Sequence, residues 1–160
     1  LWTYGEERYA AQIAAAVLER RRFKAIDSTL ELVDIIKGAM PAAALREKQH
    51  PAKRSFQALR IAVNDELEAE REMLETALDR LKSGGRLCVI SFHSLEDRIV
   101  KAAIRSRENG CTCPRDFPVC TCGFVQTVRS VTRKPIVPGS RELEENPRAR
   151  SARLRVAERL

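Results

Sequence analysis

Four of the five cysteines lie in one short segment and have the residue type and density of a metal site. They form two Cys-x-Cys pairs separated by six residues: Cys111, Cys113, Cys120 and Cys122. Four thiolates suit tetrahedral zinc, and a loop with no core of its own, 108–124, would gain order from the metal. The usual zinc-knuckle spacing is Cys-x-x-Cys, so disulfide pairing between the two arms and plain reduced thiols remain alternatives. Cys88 stands apart in an apolar run, which predicts a core position.

A second candidate site is the point where an apolar run stops and a helical pattern begins. Residues 87–92 follow Gly84-Gly85 without polar alternation, which predicts a strand buried on both faces. His93 and Ser94 come next, and Ser94 with Asp97 three residues later is typical of a capping-box helix start. Open α/β sheets bind ligands where a strand passes into a helix, so we expect a ligand site here.

Positive charge is concentrated in the second half of the chain. Residues 1–82 contain 14 Lys and Arg against 14 Asp and Glu, whereas residues 83–160 contain 15 against 8 and account for the whole net charge of +7. A basic half indicates a polyanionic partner, most simply nucleic acid. A generic solubilising surface is the alternative.

Helical patterns fill the first half. They predict helices from Glu6 to the Arg20–Arg22 run, from a capping box at Ser28 to Pro41, and over 53–82 as one helix about 45 Å long. The first half of this long helix interleaves polar residues with its apolar face: Arg54, Gln57, Arg60, Asn64 and Asp65. They predict either a polar wall facing a substrate cleft or a solvated face with local ion pairs.

The remaining elements predict an α/β fold. A helix runs from the His93-Ser94 junction to about residue 107, and strands are expected over 124–132 and 152–157, with a short helix over 142–146 between them. In the last strand Arg153 and Arg155 would share one face. The chain has no glycine-rich phosphate loop and no apolar run near the ~20 residues that span a membrane. With no signal peptide either, we expect a cytoplasmic protein with no membrane association.

Four stretches resemble one known family closely and in the same order. They are YGEERYA at 4–10, HPAKRSFQALRIAVNDEL at 50–67, GGRLCVISFHSLEDRIVK at 84–101 and NPRARSARLRVAERL at 146–160. Together they resemble the bacterial 16S rRNA (cytosine-N4)-methyltransferase family, RsmH/MraW. The resemblance implies transfer of a methyl group from S-adenosylmethionine to the N4 atom of a cytidine in 16S rRNA of the small ribosomal subunit.

The resemblance also implies an architecture. The chain is similar to a C-terminal fragment of such an enzyme, with 1–62 as most of an inserted helical, substrate-recognition domain. Residues 63–160 would be the C-terminal half of a Rossmann-like methyltransferase domain. The main S-adenosylmethionine-binding motifs of the family lie upstream of YGEER, so no cofactor-binding residue is assigned here. The fragment alone is expected to be inactive, and its exposed strand edges would favour a homo-oligomer.

Roles follow for individual residues as hypotheses. The predicted catalytic residues are His93, Ser94 and Asn64. His93 and Ser94 are expected to line the pocket of the cytidine, and Asn64 to hold the base or the RNA from the helical side. The candidates for RNA contacts are Arg54, Gln57, Arg60, Arg148, Arg150 and Arg153. The resemblance gives zinc no support, so the metal rests on the cysteine pattern alone. A stand-alone zinc-stabilised RNA-binding module and a purely structural helical partner protein are the competing hypotheses.

Overall fold

The chain folds into two compact units, residues 1–66 and 67–160, in a computed structural model. The structure describes residues 1–114, 118–119 and 121–160. Unit 1 is helical, and unit 2 combines helices with a small sheet. The chain is therefore mixed α/β, as the sequence predicts.

Unit 1 contains five helices: α1 (Trp2–Gly5), α2 (Ala10–Arg21), α3 (Thr29–Ala39), α4 (Ala42–Leu45) and α5 (Lys53–Asn64). Ser28 caps α3 by accepting a hydrogen bond from the Glu31 N–H at 3.1 Å, which confirms the cap predicted there. The core centres on Ile13, Ile36 and Ala52, which are fully buried. The apolar periodicity of α2 and α3 thus faces a shared interior.

The long helix predicted over 53–82 is two helices. Asp65 separates α5 from α6 (Glu66–Arg80), adopts a left-handed conformation with φ of 51°, and donates its N–H to the Ile61 carbonyl. Aspartate tolerates this conformation better than most residues, and the motif closes a helix. The prediction of one continuous 45 Å helix was wrong, and the break lies at the boundary between the two units.

Unit 2 contains α6 and a three-stranded antiparallel sheet in the order β1-β3-β2. The strands are β1 (Arg86–Ser91), β2 (Val128–Ser130) and β3 (Arg153–Arg159). Between them lie α7 (Ser94–Glu108), α8 (Ser140–Glu145) and a 3-10 helix (Pro147–Ser151). The strand predicted over 124–132 is confirmed only over 128–130.

One face of the sheet carries the core of unit 2. Leu74 and Leu78 of α6 pack with Val100 and Ile104 of α7, and Val128 and Ala157 of the sheet complete the cluster. The helices therefore cover only this face in the part of the chain that the structure describes.

Strand β1 is half-exposed, which corrects two predictions. Its residues alternate between exposed and covered positions rather than being buried on both faces. Cys88, predicted to be a core residue, is exposed, and Ile90 is 59% exposed. The physical reason is that these side chains point to the sheet face that α6 and α7 do not cover. None of the described helices is long and apolar enough to cross a membrane.

Candidate functional site

The strand-to-helix junction is built around His93, which caps α7. The His93 Nδ1 accepts a hydrogen bond from the Glu96 N–H at 3.3 Å, and the Glu96 carboxylate accepts from the His93 N–H at 3.1 Å. The capping box is therefore His93–Glu96, not Ser94–Asp97 as predicted. The physical reason is that His93 takes the extended conformation of an N-cap, with Ser94 already inside the helix.

One imidazole nitrogen at the junction is left unsatisfied. The His93 Nε2 is buried and makes no hydrogen bond within the described residues. It lies 3.1 Å from the Glu96 Oε1, but their alignment is unsuitable for a hydrogen bond. Because Nδ1 is an acceptor, a neutral imidazole would carry its proton on Nε2. The junction thus contains a buried polar atom without a hydrogen bond, beside the Glu96 carboxylate, whereas Nδ1 is used by the cap.

Asp97 joins the first turn of α7 to the sheet. Its carboxylate accepts hydrogen bonds from Arg155 at 2.7 and 3.1 Å and from Arg153 at 3.1 Å, and both Asp97 and Arg155 are almost fully buried. The Arg155 guanidinium, and then Arg153, hold the pKa of Asp97 below its ordinary value of 3.8. Arg153 and Arg155 share one face of β3, as predicted, and Arg153 has an internal partner.

Glu70 is a titratable group near the junction that the sequence did not reveal. It lies on α6, and its Oε2 atom is buried without a hydrogen bond from any described residue. Burial, with the nearby Glu96 carboxylate, raises the pKa of Glu70 from 4.5 to about 7. In the sequence Glu70 is one of several acidic residues on a charged helix, so only the folded structure distinguishes it.

The raised pKa of Glu70 predicts a pH-dependent stability. A carboxyl group whose pKa is raised in the folded state stabilises fully below pH 4.5, and this contribution is lost as the pH rises through about 7. We expect Glu70→Gln to raise the free energy of unfolding at pH 8 by about 1 kcal/mol, allowing for solvent screening, and to have little effect at pH 4. Urea unfolding of the chain at both pH values measures this, with the exposed Glu72→Gln as control. An equal effect at both pH values would contradict the assignment.

In unit 1, two of the predicted RNA-binding residues hold the N-terminal segment. Arg54 donates to the Glu6 carbonyl at 3.0 Å, and Gln57 donates to the Tyr4 carbonyl at 3.3 Å. Gly5 allows this close approach, because a Cβ atom there would lie 2.6 Å from the Arg54 carbonyl oxygen. The motifs at 4–10 and 50–67 are therefore one packed interface.

Arg60 and Asn64 converge on one acidic residue. Arg60 Nε lies 2.8 and 3.1 Å from the two Glu66 carboxylate oxygens, and the Asn64 amide donates to Glu66 at 3.2 Å. These local ion pairs match the solvated-face alternative for this helix, and they do not test a role in binding. Asn64 lies in unit 1 and His93 in unit 2, so the predicted catalytic residues come from both units.

A basic cleft lies between the C-terminal half of α7 and the segment after β2. Its volume is about 490 Å³, and its cationic lining is Lys101, Arg105, Arg133 and Arg155. Glu108 is the one carboxylate among the described lining residues, and it accepts hydrogen bonds from the N–H and the hydroxyl of Ser130, both at 2.7 Å. Lys101, Arg105 and Arg133 form no ion pair with any residue that the structure describes. We call this group of three the cleft cations.

The other predicted phosphate contacts, Arg148 and Arg150, are exposed on the 3-10 helix that leads into β3. Within residues 1–114, 118–119 and 121–160 neither forms an ion pair. They are thus available to an anionic partner. Sequence reasoning missed the cleft cations, because Arg133 is far along the chain from Lys101 and Arg105 and no pattern links it to α7.

Three of the four loop cysteines converge. The sulfur atoms of Cys111, Cys113 and Cys122 all lie within 4.8 Å of one another. The Thr121 hydroxyl and N–H, followed by the Cys122 N–H, hold the pKa of the Cys113 thiol below its ordinary value of 9.0. Cys120, the fourth predicted ligand, lies outside the described residues.

Comparison with known proteins gives the family. Ribosomal RNA small subunit methyltransferase H of Heliobacterium modesticaldum is 57% identical over 157 residues, 98% of this chain and 50% of the relative. Those of Heliobacterium mobile and Brevibacillus brevis are 56% and 54% identical, each over the whole chain and 51% of the relative. The chain therefore spans about half the length of these curated relatives. A model of the MraW methylase family matches residues 1–160, so the chain belongs to that family.

Proposed function

We propose that this chain is part of an S-adenosylmethionine-dependent enzyme that methylates the N4 atom of a cytidine in 16S rRNA of the small ribosomal subunit. The observation that carries the proposal is the family match over residues 1–160. Relatives more than half identical are named for methylation of small-subunit rRNA, which supports the substrate class. The cytidine N4 position rests on the resemblance of the four motifs. A cytoplasmic location follows from such a substrate.

We propose a different role for each of the two units. Unit 1 is proposed as the inserted substrate-recognition domain, and unit 2 as part of a Rossmann-like methyltransferase sheet. Strand β1 supports this, because its apolar side chains Cys88 and Ile90 are exposed and its only described partner is β3. The rest of the protein would cover this face and edge. In the isolated chain, the same edge would favour a homo-oligomer.

We propose that this chain does not form an S-adenosylmethionine site by itself. At the junction, the Phe92 and His93 N–H groups both donate to the Glu96 Oε2, at 2.7 and 3.1 Å, and the Glu96 N–H donates to His93. These three backbone donors are used by the cap and are not free to bind a carboxylate or ribose. Most of the cofactor site would therefore come from the half of the relatives that this chain does not span. We expect the chain alone to be inactive.

The contribution of this chain to catalysis would be to position the cytosine base for methyl transfer. The exocyclic amine of cytosine is a weak nucleophile, and orientation of its lone pair is a large part of what an enzyme can supply. The base would leave its stack and enter a pocket lined by His93 and Ser94 of unit 2. Asn64 of unit 1 is proposed as a separate contact to the base or the RNA. Supporting the role of His93, its Nε2 makes no hydrogen bond within the described residues. Because this atom is buried and lies 3.1 Å from the Glu96 Oε1, the imidazole would have to turn toward the base to bond it.

The cleft cations, with Arg148 and Arg150, are proposed as the phosphate contacts. The three cleft cations outnumber the single carboxylate among the described lining residues, Glu108, whereas Arg155 is already paired with Asp97. A phosphodiester would therefore meet a net positive field. Arg54, Gln57, Arg60 and Arg153 already have partners within the chain. Any RNA contact they make would share or replace those bonds, so we rank them below the cleft cations.

Removing the cleft cations is expected to weaken RNA binding and flatten its salt dependence. Each lost phosphate contact should reduce the slope of log K against log salt by about 0.7–0.9. Lys101→Ala and Arg105→Ala in this chain should each show this with a fragment of 16S rRNA over a range of salt concentrations. Arg141→Ala is the matched control, because Arg141 is exposed on α8 and pairs only with Glu145 among the described residues. A slope unchanged in the cleft variants would remove this surface from the proposal.

The reaction itself is tested by comparing the intact protein with this chain. With S-adenosylmethionine labelled in its methyl group, the intact protein should label unmethylated small subunits, and residues 1–160 alone should not. A stand-alone zinc-stabilised RNA-binding module is the second candidate, favoured by the converging thiols and the basic cleft. That candidate predicts RNA binding by the chain and no labelling by the intact protein.

A further inference from the structure

The tip of the loop after α7 brings together three thiols from two separate segments. Cys111 and Cys113 lie on the first arm and Cys122 on the second, and their three sulfur atoms lie within 4.8 Å of one another. The Cys122 and Cys111 sulfurs are 3.7 Å apart. A disulfide bond requires about 2.05 Å between its sulfur atoms, so these two cysteines are not covalently bonded. Their sulfur atoms are close enough only for a non-covalent contact.

This spacing matches that of thiolates around one small ion. In a tetrahedral zinc site with Zn–S bonds of about 2.3 Å, neighbouring sulfurs lie about 3.8 Å apart. Three sulfurs within 4.8 Å of one another are therefore close to the positions that a single zinc ion needs. Thiolates select soft metals such as Zn²⁺ and disfavour Mg²⁺ and Ca²⁺.

Groups around the thiols supply the outer hydrogen bonds that a thiolate site uses. The Thr121 N–H donates to the Cys113 sulfur at 3.3 Å, and the Thr121 hydroxyl oxygen is 3.6 Å from the same atom. Donors directed at a ligating sulfur fix its orientation and stabilise its charge. The hydrogen bond from Thr121 on the second arm to the Cys113 sulfur on the first therefore links the two arms.

The base of the loop is closed by contacts that need no metal. The Thr127 N–H donates to the Arg107 carbonyl at 3.1 Å. Gly110 lies beneath the Phe124 ring, and a Cβ atom there would be 2.7 Å from that ring. A fixed base lowers the entropy cost of bringing the two arms together at the tip. None of the described residues of the tip belongs to either apolar core cluster, so a metal bound by the thiols would stabilise this part of the loop.

We propose that Cys111, Cys113 and Cys122 bind one Zn²⁺ that links the two arms of this loop. Each thiol that binds zinc loses its proton to solvent, so zinc affinity rises with pH. This metal site does not rest on the proposed methyl transfer, because none of the three thiols is among the residues proposed to contact the cytidine or the RNA.

The test is metal binding by reduced, metal-free residues 1–160. We expect one Zn²⁺ per chain by elemental analysis after gel filtration, and Co²⁺ as a probe should give the intense visible absorption of a tetrahedral thiolate site that Zn²⁺ abolishes. Cys111→Ser and Cys122→Ser should each weaken binding by about 100-fold or more. Cys88→Ser is the matched control, because Cys88 is an exposed thiol on β1, and it should bind as the unaltered chain does.

Two outcomes would overturn the proposal. One is a reduced chain, with its thiols titratable, that binds no stoichiometric zinc. The other is zinc binding that survives in the Cys111→Ser, Cys122→Ser double variant. Circular dichroism of each variant shows whether the two units remain folded, as expected because the thiols lie outside both cores. Thr121→Val should keep the stoichiometry and lower affinity by about 10-fold.

Discussion

Asp97→Ala is expected to destabilise unit 2 by about 3–5 kcal/mol. The substitution removes the partner of Arg155, whose guanidinium is almost fully buried and donates two hydrogen bonds to the Asp97 carboxylate. An unpaired charge left in such a place costs far more than a surface ion pair contributes. Urea unfolding of the chain, monitored by circular dichroism, measures the change in the free energy of unfolding.

The matched control is Asp79→Ala. Asp79 also pairs with an arginine, Arg107, but its side chain is 61% exposed, so water replaces the lost partner. We expect a much smaller effect than for Asp97→Ala. A loss no larger than that of the control would show that burial of the Asp97–Arg155 pair does not determine its contribution.

The same pair predicts an acid dependence. Because the arginines lower the pKa of Asp97 in the folded state, its stabilising contribution is present above about pH 3.8 and is lost as the pH falls through the lower, folded pKa. The difference between the unaltered chain and Asp97→Ala should therefore shrink in strong acid. Glu70 acts in the opposite direction, since its pKa is raised, so the two carboxyl groups together favour a stability maximum on the acid side of neutrality.

Replacement of His93 is expected to have the largest effect on methylation. In the intact protein, His93→Ala and His93→Asn should each lower the rate of rRNA methylation by about 100-fold, because misplacing the base by about 1 Å costs this much. The two variants differ in the cap. Asparagine is a favoured N-cap residue, so His93→Asn should keep the stability that His93→Ala loses, about 1 kcal/mol.

This comparison separates the two roles of the imidazole. The Nδ1 caps α7, and asparagine can take over that role, but the buried Nε2 has no counterpart in asparagine. Thermal unfolding of both variants measures the cap role, and their initial methylation rates measure the role of Nε2. Normal methylation by His93→Asn would show that His93 acts only as a helix cap.

Local chemistry made much of the fold predictable. The Ser28 cap, the helical periodicities, the strand-to-helix junction and the shared face of Arg153 and Arg155 all depend on neighbours close in sequence. The break at Asp65 did not show in the sequence, because aspartate is only one of several residues that tolerate a left-handed conformation. The apolar residues keep the same helical spacing before and after Asp65, so the sequence predicts one continuous helix there.

Burial was the least predictable property, because it depends on which layers cover an element. The apolar run of β1 is typical of a strand buried on both faces, yet Cys88 and Ile90 are exposed here. At the candidate site, the sequence predicted which polar residues lie at the junction. The role of each residue could be assigned only from the folded structure. Examples are the choice of His93 over Ser94 as cap and the raised pKa of Glu70.

The most direct test of the central claim is to locate the methyl group. The intact protein would be incubated with S-adenosylmethionine and small ribosomal subunits that lack the modification, and the 16S rRNA would be digested to nucleosides and analysed by mass spectrometry. The account predicts N4-methylated cytidine, formed by the intact protein and absent when residues 1–160 alone are used. A methyl group on another base or on ribose, or methylation by the isolated chain, would contradict it.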